Sequence, residues 1–165
     1  VESGHLIETP GNVTNFGRIC TDIVESHVNA NFYEIGFDPF NASQFAEDLI
    51  SHGLDAIEVR QQVNPLSIAM RWIEELIRDG RLHHDGNPVL HWCVCNIEVK
   101  EDNNSNIFPR KPDKARKIDA GVAAIIGGTR AMLWDKLDVF DLVPGEGDAD
   151  WDVDDYLNNF VAVRR

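Results

Sequence analysis

Two carboxylates stand out by their surroundings. Asp38 follows the apolar run Tyr33-Glu34-Ile35-Gly36-Phe37 and precedes Pro39. It should close a buried strand, and the carboxyl edge of strands is where open α/β sheets form ligand sites. Asp119 lies between Ile118 and Ala120 in a stretch with helical apolar spacing. A carboxylate there must reach solvent, a cation or a hydrogen-bond donor. Taken singly, Asp38 also reads as a turn or helix-capping residue, and Asp119 as an ion-pair partner of Arg116 or Lys117. A strand-end Asp and a helix Asp converging on one sheet edge could share divalent ions. Two such ions can activate water and stabilise the leaving oxygen of a phosphodiester. Oxygen-only ligands favour Mg²⁺ or Mn²⁺ over zinc. Paired acids also serve glycosidases, but no aromatic platform is spaced for a sugar.

Near Asp119 runs a basic cluster, Arg110, Lys111, Lys114, Arg116 and Lys117. It could meet a phosphate backbone or simply form a solvated helix start. His83, His84 and His91 lack the spacing of a metal-binding helix and read as polar loop groups. Cys93-Val94-Cys95 is not a zinc-knuckle pattern and has no second pair. With Cys20, these cysteines read as apolar packing positions, in keeping with a reducing intracellular setting. Neither Gly-x-x-x-x-Gly-Lys-Ser/Thr nor Gly-x-Gly-x-x-Gly is present, so nucleotide binding by those loops is excluded for this chain.

The elements that would position these residues alternate. His5 to Glu8 suggests a strand or extended arm before the turn at Thr9-Pro10-Gly11. Asn12 or Thr14 could cap a helix through about Val28, with Phe16, Ile19, Cys20, Ile23, Val24 and His27 at helical spacing. A strand over Tyr33–Phe37 precedes a helix opened by Asn41 or Ser43 and closed by Gly53. Ala56 to Val59 is a second strand. Leu66 to Asp79 is the clearest helix, with Ile68, Trp72, Ile73, Leu76 and Ile77 on one face and Gly80 as its stop. Arg81 to His83 reads as extended, and Val89 to Cys95 is ambiguous between helix and strand. Glu101 to Ser105 is a polar turn between short extended segments. Asp113 could start a last helix that frays at Gly127-Gly128, and Pro144 to Asp148 marks a linker. Helices alternating with short apolar strands predict an α/β sandwich around a mostly parallel sheet.

The chain has 165 residues, 28 acidic against 15 basic, for a formal charge of −13. One domain of about 150 residues accommodates it, and 43% hydrophobic residues suffice for a real core. No apolar run approaches the ~20 residues of a membrane span. The charge is uneven: residues 135–165 hold nine acids and three bases. Two regions are therefore expected, a body over 1–134 and an acidic tail over 135–165. Such a balance argues against coating nucleic acid by bulk charge, but not against meeting it through bound cations. The first residue is Val1, with no initiator Met or leader pattern, which predicts a processed chain or a piece of a longer one.

Several segments fall into a known order. Ile35-Gly-Phe-Asp38-Pro-Phe-Asn-Ala42, Val59-Arg-Gln-Gln62 and Leu66-Ser67 resemble the carboxyl-terminal nuclease domain of tailed-phage large terminase subunits. Arg81-Leu-His-His84-Asp-Gly-Asn-Pro-Val-Leu-His-Trp92, Asn96, Pro109-Arg-Lys111 and Lys117-Ile-Asp119-Ala-Gly-Val-Ala123 continue the resemblance, which runs from about Ile7 to Ala131. It implies a ribonuclease H-like mixed sheet flanked by helices and a divalent-metal endonuclease that cuts concatemeric viral DNA during packaging in the host cytoplasm. Asp38 matches the family's acid at the end of a central strand, and Asp119 its acid on the late helix. Lys111 and Asn96 match common positions, which with Lys114, Arg116 and Lys117 form a candidate DNA-binding set. The family's first strand carries a further metal-binding Asp, upstream of the segment resembling Leu6-Ile7. That strand and the ATPase motor before it are absent here, so the resemblance implies a partial domain lacking one ligand. It also implies double-stranded DNA, a small subunit, a portal and the ATPase domain as partners. Two other readings remain: a non-catalytic docking fragment whose acidic tail meets a basic partner, and an unrelated ribonuclease H-like nuclease.

Overall fold

A computed structural model describes residues 4–8, 11, 14–30, 33–134 and 162–163. Its contacts divide the chain into two compact units, residues 1–61 and 62–165.

In the first unit, helix α1 (Phe16–Ala30) precedes strand β1 (Ile35–Phe37), helix α2 (Ser43–Ser51) and strand β2 (Ala56–Glu58). Residues 4–8 form no strand. Asn15, rather than Thr14, caps α1: its Oδ1 accepts the Arg18 amide at 3.0 Å, which satisfies a donor the first turn leaves open; Asn12 lies outside the described residues. β1 and β2 are parallel, Ile35 opposite Ala56 and Phe37 opposite Glu58. Parallel neighbours need a crossover, and α2 supplies it, turned back by Gly53 at φ +85°. The core of this unit is Cys20, Leu49 and Leu54, with Ile23, Val24, Ile35, Phe45 and Ala56 packed around them. Both helices thereby lend their apolar stripes to the short strands.

In the second unit, helix α3 (Val63–Arg78) leads through strand β3 (Leu82–His83) to helix α4 (Pro88–Cys95). Strands β4 (Glu98–Glu101) and β5 (Ile107–Arg110), helix α5 (Asp119–Trp134) and strand β6 (Ala162–Val163) follow. The ambiguous segment is helical because Asn87 caps it, accepting from Val89 N at 2.9 Å and Leu90 N at 3.2 Å, with Pro88 at a first-turn position that needs no donor. β4 and β5 are an antiparallel hairpin around the expected polar turn. β3 pairs antiparallel with β6, Leu82 opposite Val163. Pairing among the described residues is thus one parallel and two antiparallel two-stranded sheets, less parallel than alternation suggested, because only β1–α2–β2 provides a crossover between adjacent strands.

Four other expectations change. The buried face of α3 is Leu66, Ser67, Ala69 and Leu76, while Ile68 and Ile77 are 53% and 57% exposed. Ile68 and Ile77, nine residues apart, stand at the two edges of the apolar stripe, so the buried face is narrower than the spacing suggested; α5 lies between them against Ala69 and Ile73, where Gly128 gives room: a Cβ there would lie 2.9 Å from Ile73 Cδ1. For the same reason α5 does not fray at Gly127-Gly128 but continues to Trp134. Cys95 is exposed, unlike Cys20 and Cys93. His83 stands on a strand and His91 on a helix rather than in loops. The Pro144–Asp148 linker lies outside the described residues. Among the described residues no helix is long and apolar enough to cross a membrane.

Candidate active site

Asp38 is the first residue beyond β1. Pro39 disfavours helical backbone in the residue before it, so the strand runs out extended and the turn begins after Asp38. The Asp38 Oδ1 atom accepts the Phe40 amide at 2.8 Å, the local turn an Asp side chain readily makes. Ala42 N donates to the Pro39 carbonyl at 3.3 Å, and Asn41 takes φ +57°, a conformation Asn tolerates better than most residues. This feeds the chain into α2. From the neighbouring strand end, Gln61 Nε2 donates to Asp38 Oδ2. The carboxylate is therefore a turn residue, as one reading had it, and also lies at the carboxyl edge of a parallel pair, as the other required. Arg60 turns to Glu58, Nε to Oε1 at 2.6 Å; that hydrogen bond and charge hold its guanidinium above its usual pKa.

Asp119 is the first residue of α5 and is exposed. The helix starts here and not at Asp113: the Asp113 carboxylate takes the Ala115 and Arg116 amides at 2.8 and 2.9 Å, but the chain runs on in bends to Arg116 and turns helical only at Asp119. Those two backbone bonds, Arg116 first, hold the Asp113 pKa below the ordinary value. Just before α5, Asn96 Nδ2 donates to the Lys117 carbonyl at 3.1 Å and Ile118 is buried, 8% exposed. Within the first turn of the helix, Gly121 lies against Ile97 and the Cys93 carbonyl. The end of α4 thus fixes where α5 begins. At that terminus the helix dipole favours a carboxylate.

Lys111, Lys114, Arg116 and Lys117 are all exposed, as is Arg110 at the end of β5. Arg116 also pairs with Asp113, Nε to Oδ2 at 3.4 Å. The structure brings Asn96 to Lys117 through the Lys117 backbone, so Asn96 has a positioning role beside its candidate DNA contact. Asp38 belongs to the first unit; Asn96, Asp119 and the basic residues belong to the second. Gln61 was missed as a site residue, although it lies in the Val59-Arg-Gln-Gln62 motif. Its signal was its place just past β2, on the same strand edge as Asp38.

The donor chemistry suits a hard divalent ion. Mg²⁺ is bound through one or two carboxylates plus waters and substrate phosphates rather than by an all-protein cage. Asp38 and Asp119 offer such oxygens, and neither is in an ion pair among the described residues. Each Asp38 oxygen accepts one hydrogen bond and can offer a further lone pair. Among the described residues, no group of three or more His, Cys, Asp or Glu is placed to hold a metal.

A family model described as "Terminase large subunit, endonuclease domain" matches residues 10–134. "Protein YmfN" of Escherichia coli (strain K12) is 34% identical over 140 residues, covering 84% of this chain and 31% of its own length. "Terminase, large subunit" of Enterobacteria phage HK97 is 31% identical over 128 residues, 74% of this chain and 25% of its own length. The crystal structure of the HK97 bacteriophage large terminase superposes with a TM-score of 0.70 at 27% identity, covering 78% of this chain and 27% of that one. The chain spans between a quarter and a third of these relatives. The fold is accordingly the ribonuclease H-like α/β fold of a terminase nuclease domain. By sequence and by fold, the chain belongs to the family of terminase large-subunit endonuclease domains.

Proposed function

We propose that this chain is the DNA-cutting module of a phage DNA-packaging terminase, hydrolysing phosphodiester bonds in concatemeric double-stranded viral DNA. The observation that carries the reading is the Asp38 carboxylate, held by neutral donors at the carboxyl end of two parallel strands in a chain of this family. Asp38 and Asp119 would hold Mg²⁺ or Mn²⁺ as oxygen donors. When bound, two such ions supply positive charge that lowers the pKa of a water and offsets charge on the leaving oxygen. Lys111, Lys114, Arg116 and Lys117 would meet backbone phosphates, and Asn96 would keep the end of that segment in place through Lys117. The terminase small subunit, the portal and the ATPase domain of the large subunit are the partners this role implies, and the host cytoplasm is its setting.

The test pairs nicking of supercoiled plasmid in Mn²⁺ with calorimetric Mn²⁺ binding, for the wild-type chain, Asp38→Ala and Asp119→Ala. Loss of a metal-holding carboxylate should cost more than the ~10–100-fold typical of outer partners in both measurements. A variant that cuts and binds like wild type removes its residue from the site. Cutting that persists after the Mn²⁺ is removed by a chelator removes the metal from the mechanism.

A further inference from the structure

We infer that Gln61 is the positioning residue of the Asp38 carboxylate, holding its orientation while leaving its charge intact. The inference rests on the reading of Asp38 as a metal-holding acid and deepens it.

The parallel register sets Phe37 opposite Glu58, so the segments leaving β1 and β2 start side by side. Val59 N then donates to the Phe37 carbonyl at 2.8 Å, and Val59 is 8% exposed, which anchors the second segment beyond its strand. Two residues further on, the Gln61 amide reaches Asp38 Oδ2, while the Phe40 amide holds Oδ1. The terminal torsion of an Asp side chain is broad and roughly two-fold. A single donor leaves the carboxylate plane free to swing; donors from two strand ends do not.

The chemical type of the donor matters as much as its place. Asp38 is one residue from Pro39 and opposite a segment containing Arg60, a cation that could have paired with it. Arg60 is instead drawn to Glu58 at 2.6 Å. A carboxylate gripped by a guanidinium would be neutralised and would attract a divalent ion poorly. The primary amide of Gln61 orients the carboxylate with no charge of its own. Position 61 therefore has two requirements, a donor and neutrality, that a merely structural residue would not share.

Gln61→Met keeps the length and removes the donor; Gln61→Arg keeps donors and adds charge. Both should weaken Mn²⁺ binding by calorimetry, the Met variant by about tenfold, the lower end for an outer partner of a metal ligand because Gln61 is exposed. The Arg variant should be weaker still, and both should leave the thermal unfolding midpoint in place. Without metal, the Gln61 side-chain amide resonances should move in Asp38→Ala. Mn²⁺ binding by Gln61→Met equal to or tighter than wild type, with Asp38→Ala defective, overturns the positioning role alone. Wild-type binding by Gln61→Arg overturns the neutrality requirement. Normal Mn²⁺ binding by Asp38→Ala overturns the reading of Asp38 itself.

Discussion

Asp102 shows how much backbone one exposed carboxylate can organise. Its Oδ1 takes the Asn104 and Asn106 amides at 2.8 and 2.9 Å and its Oδ2 takes the Asn106 side-chain amide at 3.0 Å. Those bonds, the Asn106 side chain first, hold its pKa below the ordinary 3.8. A depressed folded-state pKa means that the stabilisation is fully present above the ordinary carboxylate pKa and is lost as pH falls through the lower folded value. The hairpin amides of Asn104 and Asn106 should therefore keep their NMR shifts from pH 7 to about 4 and move only below the ordinary range. Asp102→Asn should abolish that acid transition and speed hydrogen exchange at Asn106; an unchanged titration would count against the turn as its source. Ser105, at φ +60°, is kept in this turn by Arg71, whose Nη2 donates to its carbonyl at 2.6 Å. At this scale Asp38 was legible because an apolar run and a proline bracket it. Gln61 was not, because its partner lies 23 positions away and only strand register brings the two together. Asp113 and Asp119 both qualify as helix starts by type; which one wins depends on where the end of α4 holds the Lys117 carbonyl, which periodicity does not encode.

Among the elements, α5 carries two glycines that look alike in the sequence and differ in space, and only the second bears on its path. Nothing lies within 4 Å of a Cβ at Gly127, whereas one at Gly128 would meet Ile73 Cδ1 at 2.9 Å, Ile73 Cγ1 at 3.4 Å and Ala69 Cβ at 3.8 Å. Gly127→Ala should raise stability by up to about 1 kcal/mol through helix propensity. Gly128→Val should lower it by roughly 1–3 kcal/mol through overpacking against α3. Urea unfolding of the two variants reads the opposite signs directly; equal shifts would mean that α3 and α5 do not meet at Gly128. Propensity alone makes the pair a fraying point, and tertiary packing overrides it. The narrow buried face of α3 has the same origin: Ile68 and Ile77 belong to the apolar period but stand at its two edges, and α5 covers only the Ala69 and Ile73 side between them. The β1–α2–β2 unit was readable almost to its ends, because each boundary carries its own local signal in Pro39, Gly53 and the polar run after Val59.

For the whole chain, a charge of −13 weighs against the binding of a polyanion, so any DNA contact must be local. If the basic strip makes that contact, DNA affinity should fall steeply with salt, and each phosphate contact removed should lessen the log–log slope by about 0.9. Lys111→Ala, Lys114→Ala and Lys117→Ala, compared across a salt series in fluorescence anisotropy, should each weaken binding irrespective of DNA sequence. Slopes identical to wild type would remove the strip from the interface. The mounting of that strip has a further consequence. It leaves β5 at Arg110, is drawn in by the Asp113 turn, and is fastened again where Asn96 holds the Lys117 carbonyl. A loop fixed at both ends and in the middle has already given up most of its backbone freedom before any ligand arrives. Its cations would then engage phosphates with little ordering cost left to meet, so that loosening one fastening, as in Asn96→Ala, should weaken DNA binding chiefly through entropy and leave the salt slope unchanged.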